Sequence, residues 1–296
     1  MQAINASAPA TLMVVGEHAV VYGHRAIVAA VEERAQVELR PRRDQHINIF
    51  SALANHQTDT GTLAPHPKLS FAMATLRAVR PSRGLDLTIK SEINHQMGLG
   101  SSAAITVALL AALRQHNDLI HLHREALQII RTVQGRGSGA DLAGALLGGF
   151  VAYDQNGLME RLPTPPLGLS LRYAGYKTPT AEVLALINER MALDLNFYQN
   201  LYGRMGTVSA QAIVSAQSRQ WPDFYRALND YEKLMEDLGV CDHIQKAQIE
   251  EARPHCAAVK ISGSGLGDCI IALAPTPPAG HCPLTVDGQG LRLDFP

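Results

Sequence analysis

The sequence predicts an α+β protein of two domains, and three observations carry that prediction. The chain has 296 residues, about two domains on the usual size prior. Strand-like and helix-like periodicities occur in both halves. Between the halves, Pro163-Thr-Pro-Pro166 punctuates the chain, which places one domain over residues 1–165 and the other over residues 166–296. Hydrophobic residues make up 46% of the chain and charged residues 18%, enough to build a sizeable core.

The first half opens as strand, turn, strand. Residues 12–15 are apolar, Gly16-Glu-His18 breaks the run, and residues 19–21 resume it. Residues 26–31 are small and apolar like a buried strand, whereas residues 36–40 alternate like an exposed one. Residues 41–67 are polar and loop-rich, with residues 47–50 as an edge strand. Helical spacing over residues 69–79 is followed by alternation over residues 85–93, which leads into Gly98-Leu-Gly-Ser-Ser-Ala-Ala104 and an apolar helix at residues 105–113. Residues 124–133 are helical, and Gln134-Gly-Arg-Gly-Ser-Gly-Ala-Asp141 opens a helix over residues 141–147. Asp154-Gln-Asn-Gly157 between residues 150–153 and 158–162 signals a hairpin.

The second half is mostly helical after a strand at residues 169–174. Thr178 as N-cap and Pro179 at the first helical position start a helix. An amphipathic helix over residues 222–238 ends at Gly239. Residues 257–261, 269–273, 284–286 and 291–295 pattern as strands, which with the helices gives an α+β second domain.

Charge narrows the function classes. With 26 Lys+Arg against 27 Asp+Glu the net charge is −1, which argues against a general nucleic-acid binder. The four cysteines lack CxxC spacing and read as buried free thiols in a reducing cytosol. His121 and His123, near a helix start, read as surface residues. No apolar run is long enough for a membrane span, and residues 1–6 lack a signal-peptide layout, so a cytoplasmic protein with no membrane partner is expected.

The residues 98–104 loop is the strongest chemical signal. A loop of small residues opening a helix presents N–H groups and the positive end of the helix dipole, an anion site suited to phosphate. No lysine follows the serines, so this is not the Walker arrangement. The alternative is an ordinary helix cap. Ser262-Gly-Ser-Gly-Leu-Gly-Asp268 is a further glycine-rich turn, either an ordinary hairpin or a close approach to a ligand. Asp141, set by a tight turn at a helix start, reads either as a capping residue or as a base for a substrate hydroxyl attacking a γ-phosphate.

Three segments in order resemble the GHMP kinase superfamily: residues 8–23 (Ala-Pro-Ala-Thr through Tyr-Gly), residues 98–104 and residues 261–269. Within it the likeness is strongest to the mevalonate kinases, through Gly16-Glu-His-Ala-Val-Val-Tyr-Gly23, Ser91-Glu-Ile93, Leu238-Gly-Val240 and Gly175-Tyr-Lys-Thr-Pro-Thr180. The resemblance implies an N-terminal domain like ribosomal protein S5 domain 2, a ferredoxin-like C-terminal domain, and a cleft between them for ATP and Mg²⁺. It implies that Gly98, Leu99, Gly100, Ser101, Ser102 and Ala103, with Gly263 and Gly265, bind ATP. Glu17, His18, Ser138 and Thr180 would bind the substrate, Asp141 would be catalytic, and Ser102 would ligate the metal. The implied reaction is phosphorylation of the 5-hydroxyl of mevalonate in isoprenoid precursor biosynthesis, by a small-molecule enzyme that, on analogy with sister enzymes, is a homodimer.

Two departures stand out. The first motif of these kinases reads Ala-Pro-Gly-Lys, and here Ala8-Pro9-Ala10-Thr11 lacks the lysine. Lys177, Arg136 and Lys260 are the candidate replacements. The family's metal-binding Glu falls at Ile130, which leaves Ser101 or Ser102, with Asp141 or Asp268, as metal ligands. Residues 134–141 and Gly267-Asp268-Cys269 look more like phosphomevalonate kinases, so a phosphorylated substrate stays open, with Arg136, Lys177, Arg190 and Arg204 as extra cations. The lost charges also leave open a non-catalytic nucleotide- or metabolite-binding homologue.

Overall fold

The computed structural model describes residues 3–94 and 97–294. Met1 and Gln2 of the leader reading, and Phe295 of the last expected strand, lie outside them. Two long antiparallel strands form the spine: β1 (Ile4–Val15) and β2 (Ala26–Pro41). The two runs read as separate strands at residues 26–31 and 36–40 are one strand with a register shift opposite Pro9 and Ala10. That bulge splits the partners of β2. Its first part pairs with β6 (Phe150–Tyr153) and its second with β5 (Leu85–Ser91). A change in neighbours changes the burial pattern, so one strand looked like two.

Residues 19–21 do not resume a strand. They form a 3-10 turn (Ala19–Tyr22), because His18 adopts φ 58° and turns the chain out of the sheet. β3 (His46–Ser51) is not an edge strand either. It lies between β5, to which it is parallel, and β4 (Asn55–Asp59), whose polar sequence carries no strand signal. β7 (Met159–Leu162) completes the expected hairpin with β6.

Four helices cover this sheet: α1 (Ser70–Val79), α2 (Ser101–Arg114), α3 (Leu119–Gln134) and α4 (Ala140–Leu147). Helix α2 packs on β1 and β2 and against α1, α3 and α4, which is why residues 106–112 are buried on every face. Each large aliphatic side chain buried there contributes about 1.5–3 kcal/mol. His123 faces inward rather than to solvent, because α3 begins at Leu119 and sets His123 on the same face as Ala126 and Ile130.

In the second half, β8 (Gly168–Lys177), β9 (Ala258–Ser262), β10 (Gly267–Ala274) and β11 (Cys282–Leu284) form an antiparallel sheet ordered β11-β8-β10-β9. Between β8 and β9 run α5 (Thr180–Leu193), α6 (Leu195–Gln217), α7 (Trp221–Leu238) and α8 (His243–Ala252). Helix α5 starts one position later than expected, at Thr180 after Pro179. The Thr178 hydroxyl does not cap it and donates instead to the Leu266 carbonyl, 2.6 Å away. Helix α7 ends on left-handed Gly239 as read. The cysteines are free; Cys269 is buried, but Cys282 is exposed, since β11 is an edge strand. Among the described residues no helix is long and apolar enough to cross a membrane.

The chain after residue 285 returns to the first sheet. Val286 bridges Val31, and β12 (Arg292–Asp294) pairs with β1. Arg34, at the β2 bulge, locks this return. It is buried, ion-paired with Asp287, and donates to the carbonyls of Ser7 (2.9 Å) and Gly290 (2.7 Å). The two halves are also joined by Tyr231 Oη donating to the Glu17 carbonyl (2.6 Å) and Ser262 Oγ donating to the Met13 carbonyl (2.8 Å). Arg34→Met is expected to cost about 2 kcal/mol or more, because Asp287 then keeps only the longer pairing to Arg292 (3.6 Å) and two backbone N–H groups, and the Ser7 and Gly290 carbonyls lose their donor. Urea unfolding followed by circular dichroism measures the loss.

Candidate active site

A cleft of about 800 Å³ runs along the seam between the two sheets. Its floor is made by two helix starts. Helix α2 begins after Gly100 (φ 62°) and α4 after Gly139 (φ 92°); neither glycine can cap through a side chain, and Ser138 Oγ accepts only the Ala140 N–H, at 3.3 Å. First-turn N–H groups and the positive ends of both dipoles therefore face one space, which suits a polyanion. Gly100 is required by space as well as by its backbone. A Cβ there would overlap the Thr11 hydroxyl.

Asp141 sits in the first turn of α4 on the cleft wall. Thr11 Oγ1 donates to its Oδ1 at 3.0 Å. Burial pushes the Asp141 carboxyl above its ordinary range, and the Thr11 bond partly opposes that. Two groups behind it fix the turn. His123 Nε2 donates to the Gly139 carbonyl (3.0 Å), and Tyr153 Oη donates to the Ser138 carbonyl (2.6 Å). Neither was singled out from sequence as a support of the site. The helical spacing of His123 with Ala126 and Ile130 was the available signal.

On the opposite wall, His18 Nε2 donates to the Ser264 carbonyl at 2.9 Å, which leaves Nδ1 as an acceptor. Nδ1 is buried and has no partner among the described residues. Desolvation lowers the His18 pKa to about 4, so the ring is neutral at physiological pH. Thr180 Oγ1 lies 3.5 Å from Ser264 Oγ beside it. Glu17 lines the same wall, but its Oε1 holds the ammonium of Lys260 at 2.5 Å. Lys260 is fully buried and also donates to the Ile261 carbonyl. Nearby Glu232 accepts from the Ile261 N–H (2.7 Å), and burial raises its pKa to about 7.

The cleft thus gathers Gly98, Leu99, Gly100, Ser101, Ser102, Ala103 and Gly263 with Glu17, His18, Ser138, Asp141 and Thr180. Gly265 lies off the cleft, packed against Val240. Ile130 forms part of the wall as an apolar surface, so no carboxylate stands where the family's metal ligand would. Of the candidate cations, Lys177 and Arg136 line the cleft, joined by Lys68, which was not foreseen. Arg190 is used on the Gly239 carbonyl and Arg204 pairs with Asp237. Leu53, Phe71, Ile89 and Ile105 give the cleft an apolar section.

Residues 69–149 match the GHMP kinases N terminal domain, and residues 212–280 match the GHMP kinases C terminal domain. The chain is 31% identical to the mevalonate kinase of Pyrococcus furiosus, over 91% of this chain and 89% of that one. It is 29% identical to the mevalonate kinase of Methanothermobacter thermautotrophicus, over 96% and 91% of the two chains. The crystal structure of the Lin0012 protein from Listeria innocua superposes with a TM-score of 0.89 at 22% identity, covering 99% of each chain.

Because the folded-state pKa of His18 lies below its ordinary 6.5, the unfolded chain binds the extra proton between pH 6.5 and 4. His18 therefore adds no protonation penalty above pH 6.5 and destabilises the fold progressively as pH falls through that window. Its imidazole resonances are expected to hold the neutral position from pH 8 down to about 5 and to titrate near 4. A His18 midpoint near 6.5 in NMR would contradict the buried placement.

Proposed function

The chain belongs to the GHMP kinase family, and on that footing we propose that it transfers the γ-phosphoryl group of ATP to the 5-hydroxyl of mevalonate. The observation that carries this reading is the carboxylate of Asp141, hydrogen-bonded to Thr11 in the same cleft as two helix starts that follow glycines. The mevalonate kinase relatives, similar over nearly the whole chain, support the choice of alcohol.

The triphosphate rests on the N–H groups of Ser101, Ser102 and Ala103, with the base against the apolar section at Leu53, Phe71 and Ile105. His18 Nδ1 and the Thr180 hydroxyl orient the alcohol. As its oxygen bonds to the γ-phosphorus, the bond from that phosphorus to the ADP oxygen breaks, and Asp141 takes the hydroxyl proton. A carboxylate with a raised pKa is a stronger base than a solvated one. The oxygen donors Ser102 and Asp141 share the cleft, Asp268 being taken up by the Lys177 ammonium, and no three His, Cys, Asp or Glu side chains cluster among the described residues. That donor set fits Mg²⁺, which keeps most of its ligands from phosphate and water. Bound with the nucleotide, Mg²⁺ would neutralise charge on the β- and γ-phosphates. Free cysteines go with a reducing compartment, the cytoplasm.

Arg136 favours a second reading. It lines the cleft without a carboxylate partner among the described residues and could hold a phosphate already on the substrate, as in phosphomevalonate. ATP turnover with mevalonate, phosphomevalonate, galactose and homoserine in parallel separates the two. Turnover with mevalonate is expected, and none with either mevalonate compound would overturn the reading. Asp141→Asn is expected to lower kcat by about 10³-fold with an unchanged melting temperature.

A further inference from the structure

We propose that Lys177 supplies the transition-state charge that Thr11 cannot, from the opposite domain, with Asp268 holding it in place. The inference rests on the kinase reading above and adds a catalytic residue to it.

The geometry separates Lys177 from the other cations. A Cβ built on Gly98 would lie 3.5 Å from the Lys177 ammonium and 3.2 Å from Asp268 Oδ1. The ammonium therefore stands against the first glycine of the phosphate loop. Lys177 Nζ is 2.8 Å from Asp268 Oδ1, and its side chain keeps 38% exposure into the cleft while that of Asp268 keeps 7%. Lys260 is unavailable, since it is fully buried, held by Glu17 and the Ile261 carbonyl, and absent from the cleft wall. Arg136 and Lys68 line the cleft but carry no carboxylate to fix them among the described residues.

Asp268 is a second, independent sign. It sits at φ 60° in a turn otherwise made of glycines and serines plus Leu266, where a residue with a Cβ costs about 1 kcal/mol or more. That cost places a carboxylate against the loop, where alone it would repel phosphate. Paired with Lys177 it instead fixes the ammonium. When the triphosphate enters, the ammonium donates to a γ-phosphate oxygen, and its hold strengthens as charge builds on the equatorial oxygens. The new oxygen–phosphorus bond, the departing ADP and the proton on Asp141 are unchanged by this; Lys177 gives up no proton.

Lys177→Met is expected to lower kcat about 10²-fold with KM for the alcohol within a few-fold; because it leaves the buried Asp268 carboxylate without its cation, kcat is read at a temperature where circular dichroism shows the variant fully folded. Lys177→Ala should regain part of that loss when ethylammonium is added. Asp268→Asn should lower kcat about tenfold in the native background and hardly at all on top of Lys177→Met, because a positioning residue acts only through the group it holds. A kcat for Lys177→Met within threefold of the native value overturns the proposal and leaves the kinase reading intact. If the native protein turns over no alcohol, the kinase reading fails and binding decides Lys177. The native protein should then bind the ATP analogue AMPPNP more tightly than ADP by about tenfold, and Lys177→Met should lose that preference; an equal preference in both proteins overturns the proposal.

Discussion

Thr11 is the contact on which the site depends. It lies fully buried on β1, where α2 and α4 both come down onto the sheet. Its N–H donates to the Leu99 carbonyl at 3.1 Å, its hydroxyl to Asp141, and its methyl would meet a Cβ on Gly144 at 2.9 Å. One small side chain thus sets the height of the phosphate loop, the position of the carboxylate and the depth of α4. A longer side chain there would displace both helix starts, unless it escaped into the cleft. Ala8, Pro9 and Ala10 beside it keep the strand thin enough for the helices to approach.

The electrostatics follow from that packing. Two helix starts converge because the same strand supports both, and their dipoles give fixed positive potential with no side chain spent. The strongly held cation of this region, Lys260, lies behind the wall and neutralises Glu17 and part of the field of Glu232. Removing either partner of such a pair strands a buried charge, so Lys260 is tied to its place. Charge for a reacting phosphate has to come from the cleft surface instead.

The second domain completes the cleft rather than merely covering it. The turn at residues 262–268 brings the Ser264 carbonyl to His18 and the Asp268 carboxylate to the loop. The returning C-terminal segment, fastened by Arg34, adds a strand to the first sheet, so the second domain is tethered to the first at both ends. Tyr231 and Ser262 bond directly across the seam. The walls are therefore held at a defined spacing, which is what a near-attack geometry needs.

Local patterns determined much of this from sequence alone. The glycine loop, its helix, the Asp141 turn, the residues 154–157 hairpin and the α7 stop at Gly239 are set by short-range rules of backbone conformation and periodicity. Those rules act within a few residues, so they read correctly without a fold. They misread β2 as two strands, His123 as a surface residue and residues 47–50 as an edge, since each depends on which distant segment lies alongside. The same limit applied to charge. Sequence counted Lys177, Arg136 and Lys260 as equals, because a lysine's effect depends on burial and on its nearest carboxylate. Only the tertiary structure, by burying Lys260 against Glu17 and setting Lys177 with Asp268 over Gly98, decided which of them faces the loop.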